Sequence, residues 1–362
     1  MTLRIPRIFF ALSLAVLFFP HALASAQTPA RGQSGEWKSF RGTVGKNRVQ
    51  MRLRRAGEAL DGSYFYEHSK GGSLRLEGQV GADGHFTLRE FDAAGAQTGL
   101  FKGTWENDEQ QQELYLTGQW SRPDGTRQTE FSLAEMFLAL RAGARIVTRE
   151  MKDADRRANS EINVEYPQVE GLPAAAGFNE AARALAAKEA ADFRKGVAEY
   201  RADYKGEKPE GPGNSLDLGY YVDYADDNLI SVGFTEDTYY AGAAHPNHAT
   251  VVLNYDLKAG RKLRLADLFR PGSPYLKTIS DYCLKELEGD SDLEGVRDMI
   301  TEGASAKLEN YRNWLVKRQG LEITFDPYQV GPYAAGPQYV TIPYKALVKI
   351  INPAGPLAPL LK

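Results

Sequence analysis

Between Phe40 and Leu133 apolar and polar residues alternate, and no other feature of the chain restricts its fold as tightly. Val49, Met51 and Leu53 alternate with Arg48, Gln50, Arg52 and Arg54. Leu74, Leu76, Gly78 and Val80 alternate with Arg75, Glu77 and Gln79; Leu114, Leu116, Gly118 and Trp120 alternate with Tyr115, Thr117 and Gln119. A period of two gives a strand one buried and one wet face. Gly45-Lys46-Asn47, Lys70-Gly71-Gly72, Asp83-Gly84 and Pro123-Asp124-Gly125 supply turns between the runs. About eight short strands in roughly 95 residues predict a small antiparallel barrel or sandwich over 36–133, because closure removes sticky edges.

The region also repeats itself. Gly62-Ser63-Tyr64 leads to Leu74–Gln79 as Gly103-Thr104-Trp105 leads to Leu114–Gln119. A duplicated hairpin unit follows, with the glycines at bends or bulges. Tyr64, Phe65, Tyr66, Trp105 and Trp120 either fill such a barrel or line a ligand cavity within it.

After Leu133 the pattern changes. Residues 134–160 are rich in Ala, Arg and Glu and predict a linker or short helix at a domain boundary. From 161 to 355 blocks of strand and helix replace strict alternation. Ile162–Pro167 reads as a strand stopped by its proline. Asn179 is placed to cap a helix with Ala182, Leu185, Phe193, Val197 and Tyr200 on its inward stripe. An exposed Gly/Pro-rich loop spans 206–214. Strands follow at Leu216–Tyr224, Leu229–Tyr239 and Ala249–Asp256, then helices at Tyr275–Leu287, Leu293–Thr301 and Ala306–Val316. Leu321–Phe325 and Gln338–Pro343 return to strand. Blocks of this kind predict a second, α+β domain with helices packed on a mostly antiparallel sheet.

The first 26 residues read as a signal peptide. Arg4 and Arg7 precede the apolar run Ile8–Phe19, and Ala24-Ser25-Ala26 offers a cleavage site after Ala26. The run is too short for a mature membrane anchor. The expected product is periplasmic or secreted, with no membrane span. Lys+Arg number 44 against 47 Asp+Glu, so the chain has no basic footprint for nucleic acid. Its single cysteine, Cys283, excludes a disulfide framework and any cysteine-based zinc cluster; its helical, apolar setting predicts a buried, inert thiol.

Two stretches carry a family resemblance. Tyr239-Tyr240-Ala241-Gly242-Ala243-Ala244-His245-Pro246-Asn247, continued by Leu253–Leu263 and Leu265–Phe269, forms the first. Phe325-Asp326-Pro327-Tyr328, Gly331–Pro337 and Val340–Tyr344 form the second. Over residues 160–352 the chain resembles the extracellular domain of the lysozyme-sensing anti-sigma factor RsiV and the N-terminal module of the peptidoglycan deacetylase PdaC, a domain family of largely unknown function. The resemblance implies an envelope module that recognises c-type lysozyme or peptidoglycan. Neither a sigma-binding segment nor a deacetylase domain is expected beside the module, and the expectation is a binding protein without catalytic activity of its own.

The residues support that expectation. There is no Gly-x-Ser-x-Gly elbow, and Ser231 alternates as a structural strand residue. Asp290-Ser291-Asp292-Leu293-Glu294 lacks the glycine and final glutamate of a calcium loop. His245 and His248 are three apart, but Pro246 breaks the helix that aims a metal pair, so no metal or cofactor is expected. The candidate binding residues are Tyr239, Tyr240, His245, Asn247, Tyr328 and Tyr333, since loop tyrosines anchor both protein partners and sugars. The acidic run from Glu286 to Glu294 suits a basic partner such as lysozyme. Two rival readings are a cell-wall hydrolase or deacetylase using scattered acids or His245, and a small-ligand carrier using the barrel.

Overall fold

The computed structural model describes residues 35–67, 72–108, 113–141, 143–203 and 212–361; the expected signal peptide lies outside them. The alternating region forms eight antiparallel strands: β1 (Glu36–Val44), β2 (Asn47–Ala56), β3 (Ala59–Tyr66), β4 (Leu74–Val80), β5 (His85–Phe91), β6 (Gln97–Asp108), β7 (Glu113–Ser121) and β8 (Thr129–Ala139). Each strand pairs with the next. β8 then returns to β1, with Val44 opposite Phe131 and Ser39 opposite Met136, which closes the barrel.

The interior follows the alternation. Phe40, Val49, Met51, Leu53, Leu76, Leu88, Phe101, Leu116 and Leu133 are all buried. Each such side chain contributes about 1.5–3 kcal/mol by leaving water. Tyr64 packs edge-on against Phe101 and Trp105 against Phe40, both at 5.4 Å. Tyr64, Trp105 and Trp120 therefore pack with this core rather than around an open cavity. One carboxylate joins them. Glu90 is buried and accepts hydrogen bonds from Tyr64 Oη (2.6 Å), Trp120 Nε1 (2.7 Å) and Thr98 Oγ1 (2.6 Å), so its lone pairs are answered without a cation.

The repeat corresponds to hairpins β3–β4 and β6–β7. A Cβ on Gly62, Gly78, Gly103 or Gly118 would lie within 2.2 Å of a neighbouring strand's carbonyl oxygen. The backbones approach too closely there for any side chain, as sharp barrel bends require.

The second half begins earlier than the sequence suggests. Residues 134–160 form the end of β8, all of β9 (Arg145–Asp155) and the first residue of β10 (Ser160–Glu170), not a linker or helix. Long Arg, Glu and Lys side chains cover the exposed face of β9 and give it a helix-like composition, whereas Ile146 is buried and Val147 nearly so. β10 also runs through Pro167, which pairs with Thr148. The next strand, β11 (Asn214–Asp226), pairs only with Ser160–Val164 of β10, so at Pro167 that edge is open and no ladder bond is lost.

Between β10 and β11 runs α1 (Ala176–Asp203), a crossover that makes this strand pair parallel. Asn179 lies within the first turn of α1 and does not cap it. Its amide accepts from Val169 N (2.7 Å) and donates to Val169 O (2.9 Å), answering the open edge of β10 as a neighbouring strand would. The sheet continues antiparallel through β12 (Leu229–Tyr239), β13 (Asn247–Asp256) and β14 (Arg261–Lys262). Ala182, Ala186, Phe193 and Val197 of α1 bury against Ile162, Leu218 and Phe234.

A second core contains α2 (Tyr275–Glu288), α3 (Arg297–Gly303) and the small antiparallel sheet β15 (Trp314–Val316), β16 (Gly320–Phe325) and β17 (Gln338–Pro343), with α4 (Tyr344–Leu347) after it. The helix expected at Ala306–Val316 is a short 3-10 turn followed by β15. Trp314, Leu315 and Val316 are all buried and two are aromatic or β-branched, so the buried sheet sets their conformation. Cys283 is buried on α2, and that burial pushes its thiol up, leaving it inert.

Single polar side chains join these layers. Ser231 Oγ accepts from Val316 N (2.9 Å) and bonds Asn254, whose amide donates to Trp314 O (2.7 Å). Arg41 of the barrel forks onto Glu67, donates to Tyr220 O (2.6 Å) and stacks over the Tyr220 ring at 4.0 Å. Gln50 donates to both Glu67 and Ile146 O.

Candidate functional site

The two signature loops meet on the surface. The first, between β12 and β13, contains Gly242, whose φ of 91° suits a glycine at the tip of the turn. It carries His245. The second follows β16 and carries Tyr328 and Tyr333. The His245 and Tyr333 rings stack at 4.1 Å, and Tyr328 lies against Tyr333 at 5.6 Å. His248, on β13, lies with its ring 5.9 Å from that of Tyr333.

Hydrogen bonds hold the loops together. Tyr333 Oη donates to Pro246 O (2.7 Å), and His245 Nδ1 lies 2.7 Å from the same carbonyl. His248 Nδ1 bonds the carboxylate of Asp237, across the β12–β13 register. Asp326 accepts from Thr250 N (2.9 Å) and from Arg312 and Asn313, fixing the root of the second loop to β13. The aromatic group thus stands on a rigid base. Tyr328 is 57% exposed and has φ of +70°. A bulky side chain in the left-handed region is strained, and such strain persists only where the surroundings over-determine it.

Beside this platform lies a cleft of about 710 Å³, with Tyr239, His245 and Pro246 on one wall. The opposite wall comes from the β9–β10 turn. Asp155 accepts from the backbone of Arg157 and Ala158, and Asn159 adopts φ of +48°. Asn214, buried, donates to Ala158 O and accepts from Ala241 N, so one amide ties both walls.

Four of the six expected residues line these surfaces: His245, Tyr328 and Tyr333 form the platform, and Tyr239 faces the cleft. Asn247 is exposed at the start of β13, opposite Thr238. Tyr240 turns away. Its ring lies 5.7 Å from those of Phe193 and Tyr200 on α1, and it packs over Gly196. Sequence pattern alone does not single out Asn159 or Asn214. The polar turn Asp155–Asn159 between two strands is the available signal, masked because the composition of 134–160 reads as a linker or short helix. Among the described residues, no three metal-ligating side chains cluster.

A closed barrel joined to an α+β module that presents an aromatic platform is the class the fold and site define. Residues 154–248 match the family described as Deacetylase PdaC, and residues 266–345 match one described as a protein of unknown function, DUF3298. The chain is similar to the peptidoglycan-N-acetylmuramic acid deacetylase PdaC of Bacillus subtilis, 27% identical over 174 residues, 48% of this chain and 36% of that protein. It therefore spans about a third of that relative's length. Solved structures similar to it include a DUF3298-family protein from Bacteroides fragilis (19% identity, 61% of this chain, 98% of that one, TM-score 0.42). Another is a DUF3298-family protein from Pseudomonas aeruginosa (18% identity, 58% and 94%, TM-score 0.38). The resemblance to the PdaC-type module family holds: Tyr239–Asn247 falls in the segment matched to PdaC, and Phe325–Tyr344 in the segment matched to DUF3298. His245 lies in the first matched segment and Tyr333 in the second, so the platform forms where the two segments meet.

Proposed function

We propose that the protein is an envelope binding protein that recognises peptidoglycan glycan through the His245–Tyr333–Tyr328 platform, without catalysing a reaction. The observation that carries this reading is the platform itself: exposed His245 and Tyr328 on either side of half-buried Tyr333, from two loops, with ring centroids 4.1 and 5.6 Å apart and pinned by the Tyr333–Pro246 bond. Aromatic faces take up the apolar face of a sugar ring, and rigid rings lose little entropy on binding. The peptidoglycan substrate named for the Bacillus subtilis relative supports the choice of glycan. A location outside the cytoplasm follows from the amino-terminal sequence pattern.

Co-sedimentation with purified peptidoglycan tests the proposal. The wild-type protein is expected to sediment with the polymer and Tyr328→Ala/Tyr333→Ala to remain in solution. Each ring is worth about 0.5–1.5 kcal/mol, or up to about tenfold in affinity. Equal sedimentation of the two proteins overturns the site; release of acetate or sugar by the pure protein overturns the non-catalytic reading.

Lysozyme recognition is a second reading, favoured by one observation. The acidic turn Asp290–Glu294 lies beside the second loop, where Leu293 approaches Gly331. A basic protein would meet both carboxylates and tyrosines there. Inhibition of c-type lysozyme by the wild-type protein, lost in the same double variant, would favour this partner over glycan.

A further inference from the structure

A second cleft lies elsewhere in the described residues, and its origin is topological. β11 has two neighbours along one edge. Asn214–Leu218 pair with β10, and Tyr224–Asp226 pair in parallel with Phe137–Ala139 of β8 as that strand leaves the barrel. The two neighbours diverge around Gly219–Asp223. A crevice of about 770 Å³ opens there between β11, the outer barrel wall and β17. Crevices where strands part are a recurrent place for ligands.

β11 also carries a bulge at this point. Its register with β12 steps from Val222 to Tyr224, which makes Asp223 the extra residue. Bulges re-aim side chains and are common beside sites. The Asp223 side chain lines the crevice, 4.0 Å from Lys317 Nζ. Glu322 lies 2.7 Å from the same ammonium and 3.4 Å from Thr341 Oγ1. All three charged side chains are nine-tenths or more buried, so the floor of the crevice is a fixed ionic group. One wall is Tyr339, 54% exposed on β17.

The chemistry of this lining selects a ligand class. Both signs of charge are present together, with Arg48 and Lys317 against Glu135, Asp223 and Glu322, which suits neither a polyanion nor a polycation. Planar carboxylates accept hydrogen bonds from adjacent hydroxyls, and the ammonium beside them donates to hydroxyl oxygens. An exposed phenol ring offers a stacking face for the apolar side of a pyranose. We infer that the seam crevice is a second saccharide-binding site, with Asp223, Glu322 and Lys317 as its hydrogen-bonding floor and Tyr339 as its stacking wall. The choice of an N-acetylglucosamine oligomer as probe rests on the glycan reading above; the site itself rests on the crevice.

Titration of the full chain with chitotetraose, followed by amide chemical shifts, tests the inference. Shifts are expected in 219–223 and 338–341, and separately in 242–248 and 328–334. Tyr339→Ala, a surface change that leaves the core intact, should weaken the crevice response about tenfold and spare the loops. Asp223→Asn should do the same, and Tyr333→Ala should do the reverse. Shifts in the loops without shifts in the crevice overturn this inference and leave the platform standing. Shifts in the crevice that Tyr339→Ala weakens, with silent loops, uphold it and overturn the platform. No shifts anywhere, or displacement of the sugar from the crevice by a zwitterionic dipeptide, overturn the saccharide assignment.

Discussion

The barrel and the α+β module are built from similar strands but are held in different ways. In the barrel every neighbour in sequence is a neighbour in space, and the alternation alone specifies the interior from Phe40 to Leu133. The module stacks a sheet, a long helix and a second small sheet whose sequence separations are large. Its layers are registered by lone polar groups: Asn179 on the edge of β10, Ser231 and Asn254 against β15, Asp326 against β13. A repeating pattern fixes a closed sheet. A layered module needs individual side chains that no periodicity marks, and its exposed loops are then free to carry recognition.

The largest expected effect would break the join between the two regions. Burial alone would raise the Glu67 carboxyl, but its bonds to Arg41 and Thr148 outweigh that and hold it below the usual carboxylate range. Its contribution to stability is present above the unfolded-state pKa and is lost as pH falls through the folded value. Glu67→Gln strands the Arg41 charge and should cost about 3–5 kcal/mol, whereas Arg41→Met/Glu67→Leu should recover most of it. Calorimetry at neutral pH checks both, and the single variant is expected to split one unfolding transition into two.

Within the module, Ser231→Ala leaves the buried Val316 N–H without its acceptor. A loss of about 1–3 kcal/mol is expected in denaturant unfolding. The same substitution at exposed Ser132 in the barrel should change nothing measurable, which sharpens the contrast between pattern-held and contact-held regions.

A smaller effect depends on pH. Burial against α1, reinforced by the Glu189 charge, pushes Glu236 up to about 7. Its folded pKa lies above its unfolded value, so between about pH 4.5 and 7 the unfolded chain releases the proton first and stability falls as pH rises. Glu236→Gln should flatten that part of the stability–pH profile. An unchanged slope would show that the carboxyl is freely solvated.

The smallest effect separates strain from function. Tyr328→Gly relieves a left-handed tyrosine and should raise stability by about 1 kcal/mol while weakening glycan binding. Thermal melts and sedimentation read the two signs independently.

These contrasts also explain what the sequence made legible. The barrel strands, the sheet strands β11–β13 and α2 follow from periodicity. The convergence of His245, Tyr328 and Tyr333 was foreseeable only as a list of residues, because their meeting depends on Asp326 docking one loop root on β13. β9 escaped notice because charged side chains covering one face of a strand mimic the composition of a helix. Much of the Leu253–Phe269 signature proves to be scaffold. Buried Asn254 ties two sheets, and Asp267, held well below the usual range by Arg264 and Arg261, closes a turn.

Calorimetric titration of wild-type and Tyr333→Ala protein with soluble glycan strands released from peptidoglycan tests the central claim most directly. The account predicts saturable binding by the wild type and a loss of about tenfold in the variant, with a cooperative unfolding transition retained to show that the fold is intact. Identical isotherms for the two proteins, or no heat from either, would contradict it.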